Sequence, residues 1–420
     1  MNTNKHTWKF WTGRTLLVII ILFGVWLINL IWFKPFNIKH FYEKVFVEVL
    51  VRSPELTTQL GVPILYDLYK DELDDISDSK LWEHFNKNKT NYEVLLSYNF
   101  DNQTPDNQLN TKILAYFLKV NYVDKEPFFY HDYPVNQMYG VQSSLPSLMV
   151  SAHKLTNEKD IKAYITRLLK FDIKFSQLQE NLAIRESKGI IPPRFIISLV
   201  LEEMKGFVGQ SKDSLSNPAV DQLTSIHSNI LYKNFVNKVD MIPDISEEKK
   251  NNYKKQVAEA LEKTVFPAYQ NLTHYFEKLY LKANNDAGVW KLPNGDNYFK
   301  YLLKFHTTTD LSPEEIYTIG LSEVERIKEE MYAILKAEGY EDSSKTIGQI
   351  IQDLNTEERF LFPTNDQGRQ MIIAEYKRII DEISSGMGEA FDISPKAKLE
   401  VLRVPEFKEM GEGLAYFEPP

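Results

Sequence analysis

The chain has 420 residues, 43% of them hydrophobic and 25% charged, with a net charge of −9. This composition is typical of a globular protein and not of a disordered one. The negative charge is spread along the chain without a Lys/Arg run, so we expect no nucleic-acid partner. Because the chain has no cysteine, disulfides, thiolate zinc sites, a cysteine nucleophile and an acylated lipoprotein anchor are excluded.

An uncharged apolar segment lies near the N-terminus, at residues 15–33. As a helix it would extend about 29 Å, close to the thickness of a bilayer's hydrocarbon core. It ends in Trp32 and Phe33, which suit a membrane interface, and it lacks the small residues of a cleavage site. We therefore predict an uncleaved transmembrane anchor at residues 15–33, after a short cytoplasmic tail at residues 1–14. A cleaved signal peptide and a buried core helix are the alternatives.

The orientation of this segment is less well marked, because lysines and arginines stand on both of its sides. The short basic tail before it is typical of a cytoplasmic start. We therefore predict a single-pass protein of the inner (cytoplasmic) membrane, with the main domain periplasmic or otherwise extracytoplasmic.

Beyond Ile38, apolar residues recur with helical period almost everywhere. This predicts a mainly α-helical domain over residues 38–420, with a kink or break where Pro267 interrupts a long helical pattern. The predicted helices are 79–98, 110–120, 145–155, 158–188, 192–207, 216–239 and 246–282.

The best-marked helix begins after Ser312, a candidate N-cap that is followed by Pro313 and by the capping-box acid Glu315. A later helix, 367–384, is expected to bury an apolar face. That face consists of Ile372, Tyr376, Ile379, Ile380 and Ile383.

The character of the chain changes near its C-terminal end. Residues 399–405 alternate with the period of a strand, and the run from Leu414 to Phe417 is a candidate neighbouring strand. These segments predict a small β element.

The eight histidines supply no recognisable zinc site, because no two of them stand four residues apart on one helical face. His306 is the most suggestive, since Thr307, Thr308 and Thr309 follow it. The alternative is that His306 is a polar residue at a helix end and that its neighbours cap the next helix. No P-loop, nucleophile elbow or complete dinucleotide loop is present.

Five stretches of the chain stand out by their order and spacing. They are SPELTTQLGV with DELDDIS (53–77), NQMYGVQSSLP (136–146), RESKGIIPPRFII (185–197), LPNGDNYFKYLLKFHTTTDLSPEEIYTIGLSEVERIKEEM (292–331) and LEVLRVPEFKEMGEGLAYFEPP (399–420). Together they resemble the bacterial family known as domain of unknown function 885 (DUF885). The resemblance runs from about Phe41 to Pro420.

The resemblance implies a large multi-helix, deep-cleft metallopeptidase-like fold, in which zinc sits on an H-E-x-x-H helix. That helix lies beyond the stretch that resembles GLAYFEPP, and this sequence does not contain it. We therefore expect no metal ligands, no catalytic residues and no cofactor in this chain, although zinc is implied for full-length members.

The same resemblance implies a cleft wall that binds an extended peptide. Its candidate substrate-binding residues are Gly413, Leu414, Ala415 and Tyr416 on the strand, and His306, Thr307, Thr308 and Thr309. For each group, an ordinary strand or an ordinary capped loop is the alternative.

Two hypotheses for function follow. In the first, the chain is a truncated member of a membrane-anchored zinc metallopeptidase-like family and lacks peptidase activity. In the second, it is a non-catalytic, membrane-anchored helical module that binds peptides or acts as a scaffold. The first predicts that helices of this chain expose apolar faces. In both, the membrane is a partner through residues 15–33, and peptides are a further candidate.

Overall fold

The fold is mainly α-helical, as the hydrophobic period predicts. The computed structural model describes residues 4–209, 226–342 and 344–404, with side chains from Arg14 onward. The chain divides into unit 1, which ends at Tyr301, and unit 2, which begins at Leu302.

Unit 1 starts with a long apolar helix, and the rest of it is built from shorter helices. Its α-helices are α1 (Asn4–Trp32), α2 (Ile38–Arg52), α3 (Pro54–Leu60), α4 (Pro63–Tyr69), α5 (Asp78–Leu96), α6 (Pro105–Leu118), α7 (Val141–Ser147), α8 (Glu158–Leu169), α9 (Phe171–Ser187), α10 (Arg194–Phe207), α11 (Ile230–Asp240), α12 (Glu247–Ala260) and α13 (Phe266–Lys282). Helix α14 (Gly295–Thr307) contains the boundary between the units.

Two apolar cores hold unit 1 together. A small core joins α2, α5 and α6 around Phe41, Leu95 and Leu118. The larger core collects buried side chains from α7 to α13, including Tyr164 and Tyr269, which are fully buried. Helices α10 and α13 pack directly against each other within this core.

The predicted interruption at Pro267 is present. A π-helical segment, Leu261–Val265, separates α12 from α13, and Pro267 lies in the first turn of α13. Proline has no backbone N–H, and its ring clashes with the carbonyl four residues earlier, so the regular ladder is interrupted before it. The predicted helix 158–188 is likewise divided, because the chain turns at Lys170 between α8 and α9.

Unit 2 contains two long helices, α15 (Pro313–Ala337) and α17 (Asp366–Ala390), with the shorter α16 (Ile347–Leu354) between them. The capping box predicted at Ser312 is confirmed. Its Oγ accepts from the backbone N–H of Glu315, and the Glu315 carboxylate accepts from the Ser312 N–H. These bonds satisfy two donors that a helix start otherwise leaves unpaired.

The expected burial of the α17 face is wrong. Tyr376 is 53% exposed and Ile383 62% exposed, and Ile372 and Ile379 are also exposed. The same holds on α15, where Leu321, Val324 and Ile327 face solvent. The helical period correctly identified which side chains share a face, but it carries no information on whether another element covers that face.

The predicted β element is not seen in the part of the chain that the structure describes. Residues 399–404 have no regular secondary structure. An extended segment forms a strand only when a partner completes its hydrogen bonds. The expected partner, residues 414–417, lies outside the described residues.

Candidate functional site

The turn that follows α14 carries the residues predicted to contact substrate. His306 is the next-to-last residue of α14. Its ring is exposed and stands edge-on to Phe305, with 4.9 Å between the ring centroids. Thr308 has a positive φ of 58°, so the backbone leaves the right-handed helical conformation there and α14 ends.

The threonine hydroxyls of this turn bond within it. Thr307 Oγ1 donates to the Leu303 carbonyl at 2.8 Å, and Thr307 Oγ1 and Thr309 Oγ1 are 2.9 Å apart. Thr309 Oγ1 in turn accepts from the Leu311 N–H. Bonds of this kind are typical of Ser/Thr turns and agree with the alternative that these residues lead into a capped helix. Substrate binding by residues 306–309 stays a prediction.

The second predicted group, Gly413 to Tyr416, lies outside the described residues. The segment before it lines a cavity of about 330 Å³ in unit 2. The lining residues are Lys377, Ile380 and Asp381 of α17 and residues 399–402.

The described residues do not fit a zinc ion. Over residues 4–209, 226–342 and 344–404, no three or more His, Asp or Glu side chains are grouped to hold a metal. Around His306 the polar groups are threonine hydroxyls and an ion pair between Lys304 and Asp310. One imidazole and one carboxylate that is paired with a lysine are fewer than the three protein ligands of a catalytic zinc site.

Unit 1 contains a buried polar network that the sequence did not reveal. Arg167 of α8 is 0% exposed. Its guanidinium donates to the carbonyls of Glu72 and Tyr69, to Thr58 Oγ1 at 2.6 Å and to His153 Nδ1 at 3.1 Å. These four acceptors are uncharged, so the cation is stabilised by hydrogen bonds instead of direct contact with a carboxylate.

His153 continues this network in its neutral form. Because Arg167 can only donate, Nδ1 accepts and Nε2 carries the proton, which it donates to the Asp160 carbonyl. Burial, together with the adjacent Arg167 charge, lowers the pKa of His153 to about 3.

Two ion pairs, each with one buried partner, flank the network. Lys70 Nζ lies 2.8 Å from Asp160 Oδ1, and Lys174 Nζ lies 2.7 Å from Glu55 Oε1. Although burial raises the pKa of Asp160, hydrogen bonds from Lys70 and Thr156 hold it below its usual range. The network therefore ties α3 and α4 to α8 and α9 through satisfied polar contacts.

A second feature of unit 1 is the tight turn before α7. Val135 and Gly140 form an isolated antiparallel bridge, and Asn136 Oδ1 accepts from the backbone N–H groups of Met138 and Tyr139. The buried Gln142 side chain donates to the Asn136 carbonyl. Together these bonds fix a turn from which the Tyr139 side chain, 68% exposed, projects into solvent.

Comparison with known proteins now identifies the family. A family described as bacterial protein of unknown function (DUF885) matches residues 54–420. The chain belongs to the DUF885 family. No curated protein matches the chain.

A solved structure from another bacterium is similar to this DUF885 chain over most of its length. It is that of the "putative lipoprotein" from Colwellia psychrerythraea, with a TM-score of 0.78 and 23% sequence identity. The match covers 90% of this chain and 65% of that one, so the DUF885 chain spans less than two thirds of the length of that protein. At this identity, the likeness shows a shared fold.

The buried network explains one of the sequence stretches that resemble DUF885. Within residues 53–77, Thr58 supplies its hydroxyl to Arg167, and Tyr69 and Glu72 supply backbone carbonyls. Ser53 Oγ donates to Asp74 Oδ2 and also caps α3. That stretch therefore has a structural role in this DUF885 chain, which is to receive the buried cations of α8 and α9.

The neutral state of His153 predicts a pH dependence of stability. The pKa falls from 6.5, its ordinary value, to about 3 in the fold. Between these values the unfolded chain binds more protons, so the contribution of His153 is complete above pH 6.5 and is lost as the pH falls toward 3. We expect a loss of about 2 kcal/mol of unfolding free energy from this residue between pH 7 and pH 5.

Urea unfolding at the two pH values measures this loss, with His153→Gln as the matched variant. The carboxylates contribute equally in both proteins, so the difference between them isolates the histidine. An identical pH dependence in the two proteins would contradict a neutral, buried His153.

Proposed function

We propose that this DUF885 chain provides the membrane anchor and helical framework of a metallopeptidase-like protein, and that its 420 residues do not hydrolyse peptides by themselves. The observation that carries the proposal is the exposure of the apolar faces of α15 and α17.

The exposed faces are continuous stripes and not isolated residues. On α15, Leu321, Val324 and Ile327 are spaced three residues apart along one side of the helix. On α17, Tyr376 and Ile383 lie two turns apart along a second stripe. Contiguous apolar patches are rare on proteins that are complete in solution and typically mark a surface that packs against something else.

A further polypeptide is a suitable cover for these faces. The Colwellia structure shares the fold over 90% of this chain, and about a third of its own chain lies outside the match. Helices from such a region would bury the stripes and recover the apolar transfer energy that exposure forfeits.

The histidine pattern supports the second half of the proposal. Hydrolysis by a zinc peptidase requires ligands that hold the ion and a base that activates its bound water. Across the full sequence no two histidines have the spacing of the H-E-x-x-H motif. Zinc and peptidase activity would therefore depend on residues from outside these 420.

Membrane attachment would come from α1. Within the described residues, the segment Arg14–Trp32 is long and apolar enough to cross a bilayer, and none of it is buried in the fold. The Colwellia protein is described as a "putative lipoprotein", which supports an envelope location for this chain as well. This chain has no cysteine to acylate, so its attachment would rely on the apolar helix.

The proposal is tested on the purified 420-residue chain in detergent. The bound zinc is measured by metal analysis, and peptide cleavage is measured separately. We expect no stoichiometric zinc and no cleavage of a quenched fluorescent peptide library. One tightly bound zinc per chain with metal-dependent cleavage would overturn it. Stable binding of peptides without turnover, by a chain that does not bind an apolar dye, would favour the non-catalytic binding module.

A paired substitution tests the apolar faces directly. Changing Val324 and Ile327 together to glutamine should reduce binding of the apolar dye and self-association, while each change alters the unfolding free energy by no more than about 0.5 kcal/mol. Val257→Gln is the control, because Val257 is fully buried in unit 1 and its replacement should be strongly destabilising. A large loss of stability in the paired variant would show that the α15 face is already packed.

A further inference from the structure

The connection between α1 and the rest of unit 1 is a hydrogen-bonded junction. After α1 ends, the chain folds back along it. Asn29 Nδ2 donates to the Lys34 carbonyl at 2.8 Å, and Asn29 Oδ1 accepts from the Phe36 N–H at 3.0 Å. The Asn29 side chain thus holds the first residues after the helix against the last turn of the helix.

Helix α2 also binds the end of α1. Lys44 Nζ donates to the carbonyls of Ile31 and Phe33. These carbonyls lie at a helix C-terminus, where they lack helical partners and where a cation interacts favourably with the helix dipole. Trp26 and His40 add a contact between rings 5.7 Å apart.

The junction extends to the end of α5. Lys34 Nζ donates to the Ser97 carbonyl at 2.9 Å and lies 4.2 Å from the centre of the Tyr98 ring. The Tyr98 hydroxyl donates to the Pro35 carbonyl. Three separate elements therefore hold the short segment between α1 and α2, so α1 is not joined to unit 1 by a flexible tether.

The side chains that this junction leaves outside are aromatic. Trp32 is 69% exposed, Phe33 63% and Phe36 77%. The backbone N–H of Phe36 is hydrogen-bonded to the side chain of Asn29. Asn29 lies three residues before the end of α1, which is a distance of about 5 Å along the helix axis. Phe36 is therefore held at the level of the last turn of α1, where aromatic side chains next to lysines are typical of a membrane interface.

We propose that the α1–α2 junction is a rigid membrane mount: Trp32, Phe33 and Phe36 lie in the lipid headgroup layer, and unit 1 is held on the bilayer surface at a fixed tilt. The partner is the lipid bilayer. This aromatic surface is continuous with α1, which favours the bilayer as the partner, so the inference rests on the proposed membrane attachment.

Single-cysteine labelling of the full-length chain tests the mount, and the natural absence of cysteine makes each label unique. A label at Phe36→Cys reports on the junction, and a label at Ile19→Cys reports on the proposed span. A label at Met241→Cys is the solvent-exposed reference, because Met241 follows α11 directly and is 80% exposed. Each variant carries an environment-sensitive dye in phosphatidylcholine–phosphatidylglycerol vesicles. The measurement is quenching by lipids with a shallow or a deep spin label and by aqueous iodide.

We expect the dye at position 36 to emit at shorter wavelength than the dye at 241 and to be quenched best by the shallow lipid label. The dye at 19 should respond to the deep label and the dye at 241 to iodide. If position 19 reports the bilayer interior but position 36 is as open to iodide as 241, the mount is overturned and the anchor stands. If position 19 is open to iodide or has been removed by cleavage, the proposed membrane anchor and the proposed mount both fail.

Rigidity is tested with a nitroxide in place of the dye at position 36. We expect a broad, immobilised spectrum that narrows when Lys44→Met or Asn29→Ala is added, because each change removes bonds that hold the junction. Circular dichroism confirms that the labelled variants are folded. A label that is already fully mobile in the parent would overturn the mount.

Discussion

Replacing Arg167 with methionine is expected to lower the free energy of unfolding by about 3 to 5 kcal/mol, because several buried acceptors lose their donor at a cost of about 1 to 3 kcal/mol each. The side chain is fully buried and donates to four acceptors. Methionine fills similar space but donates nothing, so the Glu72 carbonyl and His153 Nδ1 lose their donor in a site closed to water, while the Tyr69 carbonyl keeps only its bond from the Glu72 N–H. Urea unfolding of the full-length chain measures the loss.

Arg326→Met is the matched control for this prediction. Arg326 lies on α15, and its side chain is 53% exposed while it pairs with Glu323 and Glu330. Exposed pairs of this kind contribute about 0.5 kcal/mol. Arg167→Lys should restore only part of the loss, because one ammonium cannot reach acceptors arranged around a planar guanidinium. Equal effects of the two arginine-to-methionine changes would refute a special role for Arg167.

The features of the fold that could be predicted from the sequence are those set by neighbouring residues. The capping box at Ser312 and Glu315 requires only four consecutive positions, and the break near Pro267 follows from one missing N–H group. Helical period likewise predicted the mainly α-helical class, since it reflects which side chains share a face.

Features that depend on distant residues could not be predicted. Arg167 binds Thr58, 109 positions away, and nothing in the pattern of α8 indicates that its single arginine is buried against α3. The apolar face of α17 shows the opposite case, in which residues predicted to be buried are exposed. Tyr376 and Ile383 have the spacing of core residues in the sequence, but both are exposed in the structure. The sequence prediction failed here because the helical period does not reveal whether another element covers the apolar face.

The candidate site was predictable only to the level of its local structure. The run from His306 to Thr309 indicated a helix end, and the structure places it at the end of α14. Whether these residues also contact a substrate depends on what lies opposite the turn, and local hydrogen bonds do not specify that. The candidate strand residues 413–416 lie outside the described residues, so they stay a prediction.

Replacing Gly140 with alanine is expected to lower the free energy of unfolding by about 2 to 4 kcal/mol. Gly140 has φ of 146° and ψ of 169°, a backbone conformation that only glycine adopts without strain. A Cβ there would lie 2.1 Å from Gln142 Oε1 and 3.0 Å from the Pro134 carbonyl oxygen. Alanine would therefore displace the buried Gln142 side chain, which fixes the turn by its bond to the Asn136 carbonyl.

Gly320→Ala provides a control of opposite sign. Gly320 lies inside α15, and a Cβ there would meet no atom within 4 Å. Alanine should stabilise the helix by roughly 0.5 to 1 kcal/mol, because it restricts the unfolded chain and favours helical geometry. Thermal and urea unfolding of the two variants should therefore move in opposite directions. A neutral Gly140→Ala would mean that the turn adopts another conformation, and Tyr139 would then not be presented on a fixed backbone.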